Sequence, residues 1–332
     1  MKLATLHDQT KDGRLHVVSR DLSRSAPAMP ARTLQDALER WDELEPQLSR
    51  EYEAVNEGHG DPFDLASALA PLPRAWQWLD GSAFDSHGKL MQRVFKLDPM
   101  ENEGRPLMYQ GVSDRFYPPL GDIYLPSEDD GIDFEGEFGV LTDAVPMGCS
   151  AAEARRHIKL LVQINDWSLR RIAPIEMKTG FGWVHAKPAS SMAPIAVTPD
   201  ELGDFWRDAR IDLALRVDWN GERFGAANGY AMSAGFDELV AHAAYSRDLV
   251  AGTVIGSGTV SNENYREIGS SCIAERRGIE ILDLGEPKTE FMKFGDRVRM
   301  EASLPDGTPL FGAIDQIVAK NWKVGSRPPA PL

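Results

Sequence analysis

The stretch GIDFEGEFGV, residues 131–140, places Asp133, Glu135 and Glu137 at alternate positions between apolar residues. In a β-strand, side chains two residues apart project from the same face, so the pattern predicts one acidic face and one apolar face. At a separation of about 7 Å and an effective dielectric of about 20, each neighbouring pair of carboxylates repels by about 2 kcal/mol. Such a strand either lies at a solvated sheet edge, where water screens the charges, or holds a cation between them.

The composition is that of an ordinary folded protein with an acidic surface. The chain has 332 residues, is 42% hydrophobic, and carries 36 basic and 51 acidic side chains for a net charge of −15. This charge repels phosphate backbones and argues against a nucleic-acid partner, whereas an anionic small molecule would need a local cation. No apolar run is long enough to cross a bilayer, and the first residues become charged early, so we expect a soluble, cytoplasmic protein without a membrane partner. Two distant cysteines, Cys149 and Cys272, suggest small buried residues rather than a disulfide framework.

The first 70 residues are predicted to form a small hairpin-plus-helix domain. KLATLHD and RLHVVSR flank a Lys-Asp-Gly turn, and an apolar periodicity that starts at Thr33 predicts a helix that resumes after Pro46. The loop around EGHGDP and the prolines of APLPRAW indicate a boundary near residue 70. Residues 71–332 then form the second, larger domain.

Strand patterns dominate this larger domain. Ser150 and Glu153 form a capping-box pattern that predicts a short helix to about His157. KLLVQIND then indicates a buried strand ending on Asp166, although a continued helix is also compatible with the pattern. FDELVAHAAYSR is the one clear further helix. Many strands and few helices predict a β-rich α+β fold, a mixed β-sandwich or roll, rather than a doubly wound parallel sheet.

Asp166 adds a fourth carboxylate to the acids of residues 131–140. Because it closes an apolar strand, it can deliver an oxygen ligand at a strand end. Oxygen-only donors suit Mg²⁺ or Ca²⁺ better than zinc. The pattern therefore favours a hard divalent cation over a solvated strand edge.

With these acidic motifs, the chain resembles the fumarylacetoacetate hydrolase family. The resemblance rests on DFEGE, NDWSLR, AKPAS and GSGTVS, which occur in the family's order between about residues 75 and 320. It implies a β-roll catalytic domain of the fumarylacetoacetate hydrolase type and a divalent ion, Mg²⁺ or Ca²⁺, with Mn²⁺ possible. The implied metal ligands are Asp80, Glu135, Glu137 and Asp166.

The resemblance also assigns catalytic and substrate-binding residues. His87 follows Asp80 by seven residues in DGSAFDSH, where Asp85 is a competing ligand and a surface position is the alternative for His87. Glu275 is implied as the carboxylate that orients His87, its alternative being a surface partner of a neighbouring arginine. The implied catalytic set is His87, Glu275, Lys187 and Arg170, and the implied substrate contacts are Tyr109, Arg170, Lys187 and Thr259. Lys187 has a snorkelling surface lysine as its alternative.

One position departs from the family pattern, because Ala173 stands where the family has a glutamine that can donate a hydrogen bond. The resemblance implies cleavage of a carbon-carbon bond in a small anionic β-diketo acid, with 4-fumarylacetoacetate of aromatic amino-acid breakdown as the expected substrate. Acylpyruvate hydrolysis, oxaloacetate decarboxylation and divalent-metal binding without turnover are the alternatives. A homodimer is expected.

Overall fold

A computed structural model describes residues 1–96 and 104–321. Strands account for most of the regular structure in these two ranges. In chain order they are β1 (Lys2–Leu6), β2 (Arg14–Val18), β3 (Arg24–Pro27), β4 (Asp61–Pro62), β5 (Gln77–Gly81), β6 (Met108–Gln110), β7 (Leu120–Leu125), β8 (Ile132–Asp133), β9 (Gly136–Thr142), β10 (Ile158–Asn165), β11 (Ser168–Leu169), β12 (Ser191–Met192), β13 (Ile195–Val197), β14 (Trp206–Arg207), β15 (Arg210–Ile211), β16 (Ala214–Trp219), β17 (Glu222–Asn228), β18 (Thr253–Gly256), β19 (Arg297–Glu301) and β20 (Ile314–Lys320).

The helices of the described residues are fewer and mostly short. They are α1 (Leu34–Glu39), α2 (Trp41–Asn56), α3 (Asp85–Phe95), α4 (Ala151–His157), α5 (Ala173–Met177), α6 (Phe236–Ala243), α7 (Tyr265–Ile268) and α8 (Ile273–Leu284). The predicted β-rich α+β fold is confirmed. No helix in the described ranges is both long and apolar enough to span a bilayer.

Two large sheets organise the chain. The larger runs in the order β4-β3-β2-β1-β13-β10-β9-β18-β5-β6, with β12 paired to β10, and a five-stranded sheet runs β17-β16-β19-β20-β7. Neighbouring strands are mainly antiparallel, but β18 pairs with β5 and β20 with β7 in parallel. Strand β1 pairs with β13, so the larger sheet is continuous between the N-terminal segment and the rest of the chain. The division at residue 70 stays a prediction.

Several local predictions are confirmed. Strands β1 and β2 form the predicted N-terminal hairpin, and α4 has the predicted capping box of Ser150 and Glu153. KLLVQIND contributes to strand β10 rather than to a continued helix, and Asp166 follows directly after its last residue. The helical break expected at Pro46 is wrong, because Pro46 lies inside α2 and the break falls at Arg40.

The expectation of only one further helix in the second half is also wrong. Helix α8 extends over twelve residues. Its N-terminus is capped by a distant carboxylate, because Asp133 accepts hydrogen bonds from the N–H groups of Ile273 and Ala274. Helix α3 in turn contains His87. These helices depend on tertiary contacts that a linear apolar pattern does not display.

The segment GIDFEGEFGV is divided between two sheets rather than forming one strand. Asp133 ends β8, which pairs with β11, whereas Glu137 lies in β9, which pairs with β10 and β18. The apolar residues behave as predicted, since Phe134, Phe138 and Val140 are buried in the main hydrophobic core. The acids, however, do not share one face of one strand, because the chain passes from one sheet to the other between Asp133 and Gly136.

Four neighbouring strands of the large sheet have ends that lie side by side, and these strand ends form one edge of the sheet. Strands β5 and β18 run parallel, with Gly256 opposite Asp80, and β9 runs antiparallel to both β18 and β10. The C-terminal ends of β5, β18 and β10 therefore lie beside the N-terminal end of β9. This edge brings together residues that are far apart in the sequence.

Candidate active site

Three buried carboxylates converge at this edge. Asp80 from β5, Glu137 from β9 and Asp166 after β10 each offer an oxygen, and these oxygens lie within 4.8 Å of one another. All three residues are buried. This arrangement of oxygen donors suits a hard divalent cation such as Mg²⁺, Ca²⁺ or Mn²⁺. We call Asp80, Glu137 and Asp166 the carboxylate cluster.

Glu137 provides the most direct sign that a cation belongs in the cluster. Both of its carboxylate oxygens are buried and neither has a hydrogen-bond partner among the described residues. Burial, together with the neighbouring charges of Asp80 and Asp166, raises the pKa of Glu137 well above its ordinary value. Burial and the charge of Asp166 raise the pKa of Asp80 in the same way. A bound cation would compensate these carboxylates, and the residues present therefore fit one.

Glu135 lies beside the cluster but is neutralised by protein groups. Its Oε1 accepts hydrogen bonds from the Lys187 Nζ at 2.5 Å and from the Ser168 hydroxyl, and its Oε2 accepts one from the Thr259 hydroxyl. Burial works against ionisation here, but the charges of Arg170 and Lys187 prevail and lower the pKa of Glu135. The structure thus brings Glu135 next to the predicted metal ligands while its oxygens already have partners.

Arg170 connects Glu135 to helix α8 through Asp133. Its Nε donates to Asp133 Oδ2 at 2.8 Å, and its Nη2 lies 3.1 Å from Glu135 Oε1. Asp133 also accepts the N–H of Ile273 at 2.7 Å and that of Ala274 at 2.9 Å. An arginine and a helix N-terminus therefore compensate the charge of Asp133.

Asp166 has polar partners on both oxygens. Tyr109 and Lys187 each donate to its Oδ2 at 2.6 Å, and Ser190 donates to Oδ1 at 2.6 Å. The Tyr109 ring in turn contacts Trp183 edge-on, with centroids 6.3 Å apart. Burial lowers the pKa of Lys187, but the charges of Asp166 and Glu135 outweigh burial and raise it. Lys187 is therefore a buried cation of the site, and the surface alternative is wrong.

His87 and Glu275, the implied base and its orienting carboxylate, lie close to each other. The His87 Nδ1 lies 3.9 Å from Glu275 Oε1, with side-chain exposures of 18% and 0%. The same oxygen accepts a hydrogen bond from the Ser261 hydroxyl. Glu275 Oε2 and His87 Nδ1 have no hydrogen-bond partner among the described residues. Glu275 is thus not a surface partner of an arginine. The pair is close enough that a small rotation would give the orienting hydrogen bond implied by the resemblance.

The competing ligand Asp85 does not reach the cluster. Its side chain is 60% exposed at the start of α3 and pairs with Lys89 at 3.4 Å. Asp80, by contrast, is buried and accepts the Gly258 N–H at 3.2 Å. Ala173 begins helix α5 on the segment that follows Arg170.

When all of them are ionised, the buried acids and bases of the site carry an excess of negative charge. Two cations lie among five buried carboxylates, which are Asp80, Asp133, Glu135, Glu137 and Asp166. Lys187 and Arg170 contact Asp133, Glu135 and Asp166. Asp80 and Glu137 have no cationic contact in the described ranges, so a divalent ion would complete the balance.

The residues that the sequence did not reveal are mainly hydroxyl donors. Ser168, Ser190 and Ser261 each donate to a carboxylate of the site. All three serines lie within quoted motifs, Ser168 in NDWSLR, Ser190 in AKPAS and Ser261 in GSGTVS, which was the available signal. Their partners are set by strand register and could not be deduced from those short stretches alone.

Comparisons with known proteins establish the class. The family model described as fumarylacetoacetate (FAA) hydrolase C-terminal matches residues 77–318, and that described as fumarylacetoacetase N-terminal domain 2 matches residues 1–74. The first match alone covers well over half of the chain. The chain belongs to the fumarylacetoacetate hydrolase family, which confirms the resemblance and the fold type expected from the sequence.

Individual relatives are more distant. A 2,4-didehydro-3-deoxy-L-rhamnonate hydrolase of Sphingomonas sp. (strain SKA58) is 26% identical over 157 residues, covering 46% of this chain and 52% of that protein. This chain therefore spans about half the length of that curated relative.

Two solved structures share the fold. Maleylpyruvate hydrolase from Sphingobium sp. SYK-6, in complex with manganese(II) and pyruvate, has a TM-score of 0.65 at 17% identity, covering 97% of this chain and 100% of that one. Fumarylpyruvate hydrolase from Pseudomonas aeruginosa, in complex with Mn²⁺ and pyruvate, has a TM-score of 0.53 at 14% identity, covering 75% and 92%.

Proposed function

We propose that the protein is a divalent-metal-dependent hydrolase that cleaves a carbon-carbon bond in a β-diketo acid of the acylpyruvate type. The observation that carries the proposal is the buried carboxylate of Glu137, which has no hydrogen-bond partner among the described residues and lies within 4.8 Å of carboxylate oxygens of Asp80 and Asp166. Family membership supports it, as do the two structural relatives named as maleylpyruvate hydrolase and fumarylpyruvate hydrolase, both solved with Mn²⁺ and pyruvate.

The carboxylate cluster would hold the ion. Asp80, Glu137 and Asp166 are its ligands in this proposal, and Glu135 contributes negative charge beside them. When bound, a divalent ion supplies Lewis-acid polarisation of the oxygens of a diketo acid and stabilises negative charge on them.

The protein's own groups would bind the substrate and move the proton. Lys187, Arg170 and Tyr109 would hold anionic oxygens of the substrate, and positive charge placed where an oxyanion develops is typically worth about 3 kcal/mol per donor. Glu275 faces the Nδ1 of His87, which leaves the Nε2 to take a proton from the attacking water. This pair favours hydrolysis over decarboxylation, because decarboxylation requires no activated water.

The substrate is tested directly with a panel. The purified protein would be incubated with Mg²⁺, Mn²⁺ or Ca²⁺ and with maleylpyruvate, fumarylpyruvate, 4-fumarylacetoacetate and oxaloacetate, while diketo absorbance and products are followed. We expect loss of diketo absorbance that EDTA abolishes, with acylpyruvates turned over faster than 4-fumarylacetoacetate. Metal-dependent melting without turnover of any diketo acid would instead support a metal-binding protein without catalysis.

4-Fumarylacetoacetate, the substrate predicted from the sequence, stays a prediction, and so does the place in aromatic amino-acid breakdown. The same holds for the homodimer, the cytoplasmic location and the lack of nucleic-acid and membrane partners.

A further inference from the structure

One glutamate closes the loop that leads into Lys187. Glu176, in the short helix α5, turns its carboxylate back to three successive backbone N–H groups: those of Val184 at 3.0 Å, His185 at 2.8 Å and Ala186 at 2.9 Å. The hydrogen bonds from these amides, that of His185 foremost, lower the pKa of Glu176. The loop of residues 176–186 is thus closed on itself by a single ionised side chain.

Apolar packing does little to hold this loop. Three of its large hydrophobic side chains point outward, Met177 being 63% exposed, Phe181 98% and Val184 71%, whereas Trp183 is half-buried. A segment that buries so little apolar surface gains little from the hydrophobic effect, so its conformation depends on hydrogen bonds. The Glu176 carboxylate provides three of them at the point where the loop returns to the core.

The closed end of the loop adjoins two groups of the active site. Lys187 follows Ala186 directly and donates to Glu135 and Asp166. Trp183 precedes the three clamped amides and contacts the Tyr109 ring, whose hydroxyl donates to Asp166. A shift of the clamped amides would therefore move Lys187 and Trp183 together.

We propose that Glu176 is a positioning residue, which fixes Lys187 against Glu135 and Asp166 by clamping residues 184–186. The catalytic part of this inference rests on the proposed function, whereas the placement of Lys187 does not. Among the described residues, the hydrogen bonds to the Glu176 carboxylate come from backbone amides and not from the carboxylate cluster, so its influence on the reaction would pass through Lys187.

The test compares Glu176→Ala and Glu176→Gln with the wild type. The control is Glu153→Ala, which removes another surface carboxylate that accepts a backbone N–H, from Ser150 at 2.8 Å. The first readout is the labelling rate of the Lys187 amine by an acylating reagent, followed by mass spectrometry with the exposed Lys293, which lies outside the loop, as internal reference. The second is kcat and KM on the best diketo acid of the panel.

We expect Lys187 to be protected in the wild type and in Glu153→Ala, and to be labelled about tenfold faster or more in Glu176→Ala. Misplacement of a catalytic group by about 1 Å can lower a rate about 100-fold, so kcat of Glu176→Ala should fall about 10- to 100-fold, with KM changed less. Glu176→Gln keeps one carbonyl oxygen, which can accept two of the three amides, and should give intermediate values in both measurements.

Equal Lys187 labelling in wild type and Glu176→Ala would overturn the inference, as would faster labelling together with an unchanged kcat. A wild type that turns over no diketo acid would contradict the proposed function instead, and the labelling experiment would still decide whether Glu176 places Lys187. A loss of melting temperature without either effect would show a merely structural role and would also overturn it.

Discussion

Two glutamates separated by one glycine have opposite electrostatic surroundings. Glu135 contacts Lys187 and Arg170, which hold it ionised, whereas both oxygens of Glu137 are buried without a partner among the described residues. The alternating pattern alone does not distinguish the two residues. Their difference arises because Glu137 lies in β9 while Glu135 lies at the crossing between two sheets.

This difference predicts opposite effects of two isosteric substitutions. Glu137→Gln removes a like charge from the cluster, so metal-free stability should be unchanged or higher, while affinity for Mg²⁺ falls by about 100-fold or more, since even outer partners of ligands contribute about 10- to 100-fold. Glu135→Gln breaks a buried ion pair and should lower the free energy of unfolding by about 3–5 kcal/mol. Calorimetric titration with Mg²⁺ measures the affinity, and denaturant unfolding in EDTA measures the metal-free stability. A Glu137→Gln protein that binds Mg²⁺ like the wild type would remove Glu137 from the ligand set.

His87 carries the second prediction at this scale. His87→Ala should lower kcat by about 100- to 10,000-fold, the usual contribution of general-base catalysis, with Mg²⁺ affinity changed less than about threefold. His157→Ala is the control, because its imidazole pairs with Asp143 at 2.6 Å in the surface helix α4. Steady-state kinetics and calorimetry separate the two effects, and full turnover by His87→Ala would exclude it as the base.

Motifs in the sequence predicted residues that the structure brings together, but not the orientations of their side chains. Asp80, Glu137, Asp166 and Lys187 were predicted from short motifs and lie together in the structure. The serines that bond the carboxylates could not be predicted, because Ser261 and Glu275, or Ser168 and Glu135, meet only through tertiary structure.

At the scale of elements, the site depends on close packing of strand ends. Gly256, at the end of β18, lies opposite Asp80, and a Cβ there would come within 2.3 Å of Asp80 Oδ1 and 2.3 Å of the Trp78 ring. Neither neighbour can move away without displacing a carboxylate of the cluster or a buried aromatic side chain. Glycine at this position therefore allows Asp80 to reach the cluster.

Gly256→Ala should lower the free energy of unfolding by about 1–3 kcal/mol through overpacking, and it should weaken Mg²⁺ binding by displacing Asp80. The matched control is Gly88→Ala, in helix α3, where a Cβ meets nothing within 4 Å. That substitution should stabilise the protein by about 0.5–1 kcal/mol, because alanine is the better helix former. Denaturant unfolding measures both variants; if Gly256→Ala were as stable as the wild type, the close packing would be unimportant.

The strands were predictable from sequence to a greater extent than the helices near the site. Alternation and turn residues indicated β1, β2 and β10, whereas α3 and α8 were not predicted. Helix α8 begins at Ile273 after Cys272 and has Gly278 in its interior, so its sequence gives a weak helical signal. Its first turn instead gains from Asp133, which is 140 residues away.

At the scale of the whole molecule, buried carboxylates link stability to pH and metal. A carboxyl group whose pKa is higher in the folded state binds more protons there, so the free energy of unfolding falls as pH rises above its ordinary pKa. Glu137 is such a group, with an ordinary value of 4.5 and a pKa raised by burial and by Asp80. Burial lowers the pKa of His16 and of His242, so these two histidines make the free energy of unfolding rise with pH.

Comparison with Glu137→Gln isolates this contribution, since both histidines are the same in the two proteins. In EDTA, between about pH 5 and pH 8, the wild type should lose more stability than Glu137→Gln as pH rises. Added Mg²⁺ should abolish the extra loss of stability that the wild type shows as pH rises, because the ion favours the ionised carboxylates. Melting temperatures across this range measure it; parallel pH profiles in EDTA would contradict the raised pKa.

The central claim, that Asp80, Glu137 and Asp166 hold a divalent cation, is tested most directly by crystals grown with Mn²⁺. Diffraction data collected near the manganese absorption edge should show one anomalous peak per chain bounded by these three carboxylates, and no such peak in Glu137→Gln. A wild-type map without a peak at this position, or with the peak bounded by other residues, would contradict the account.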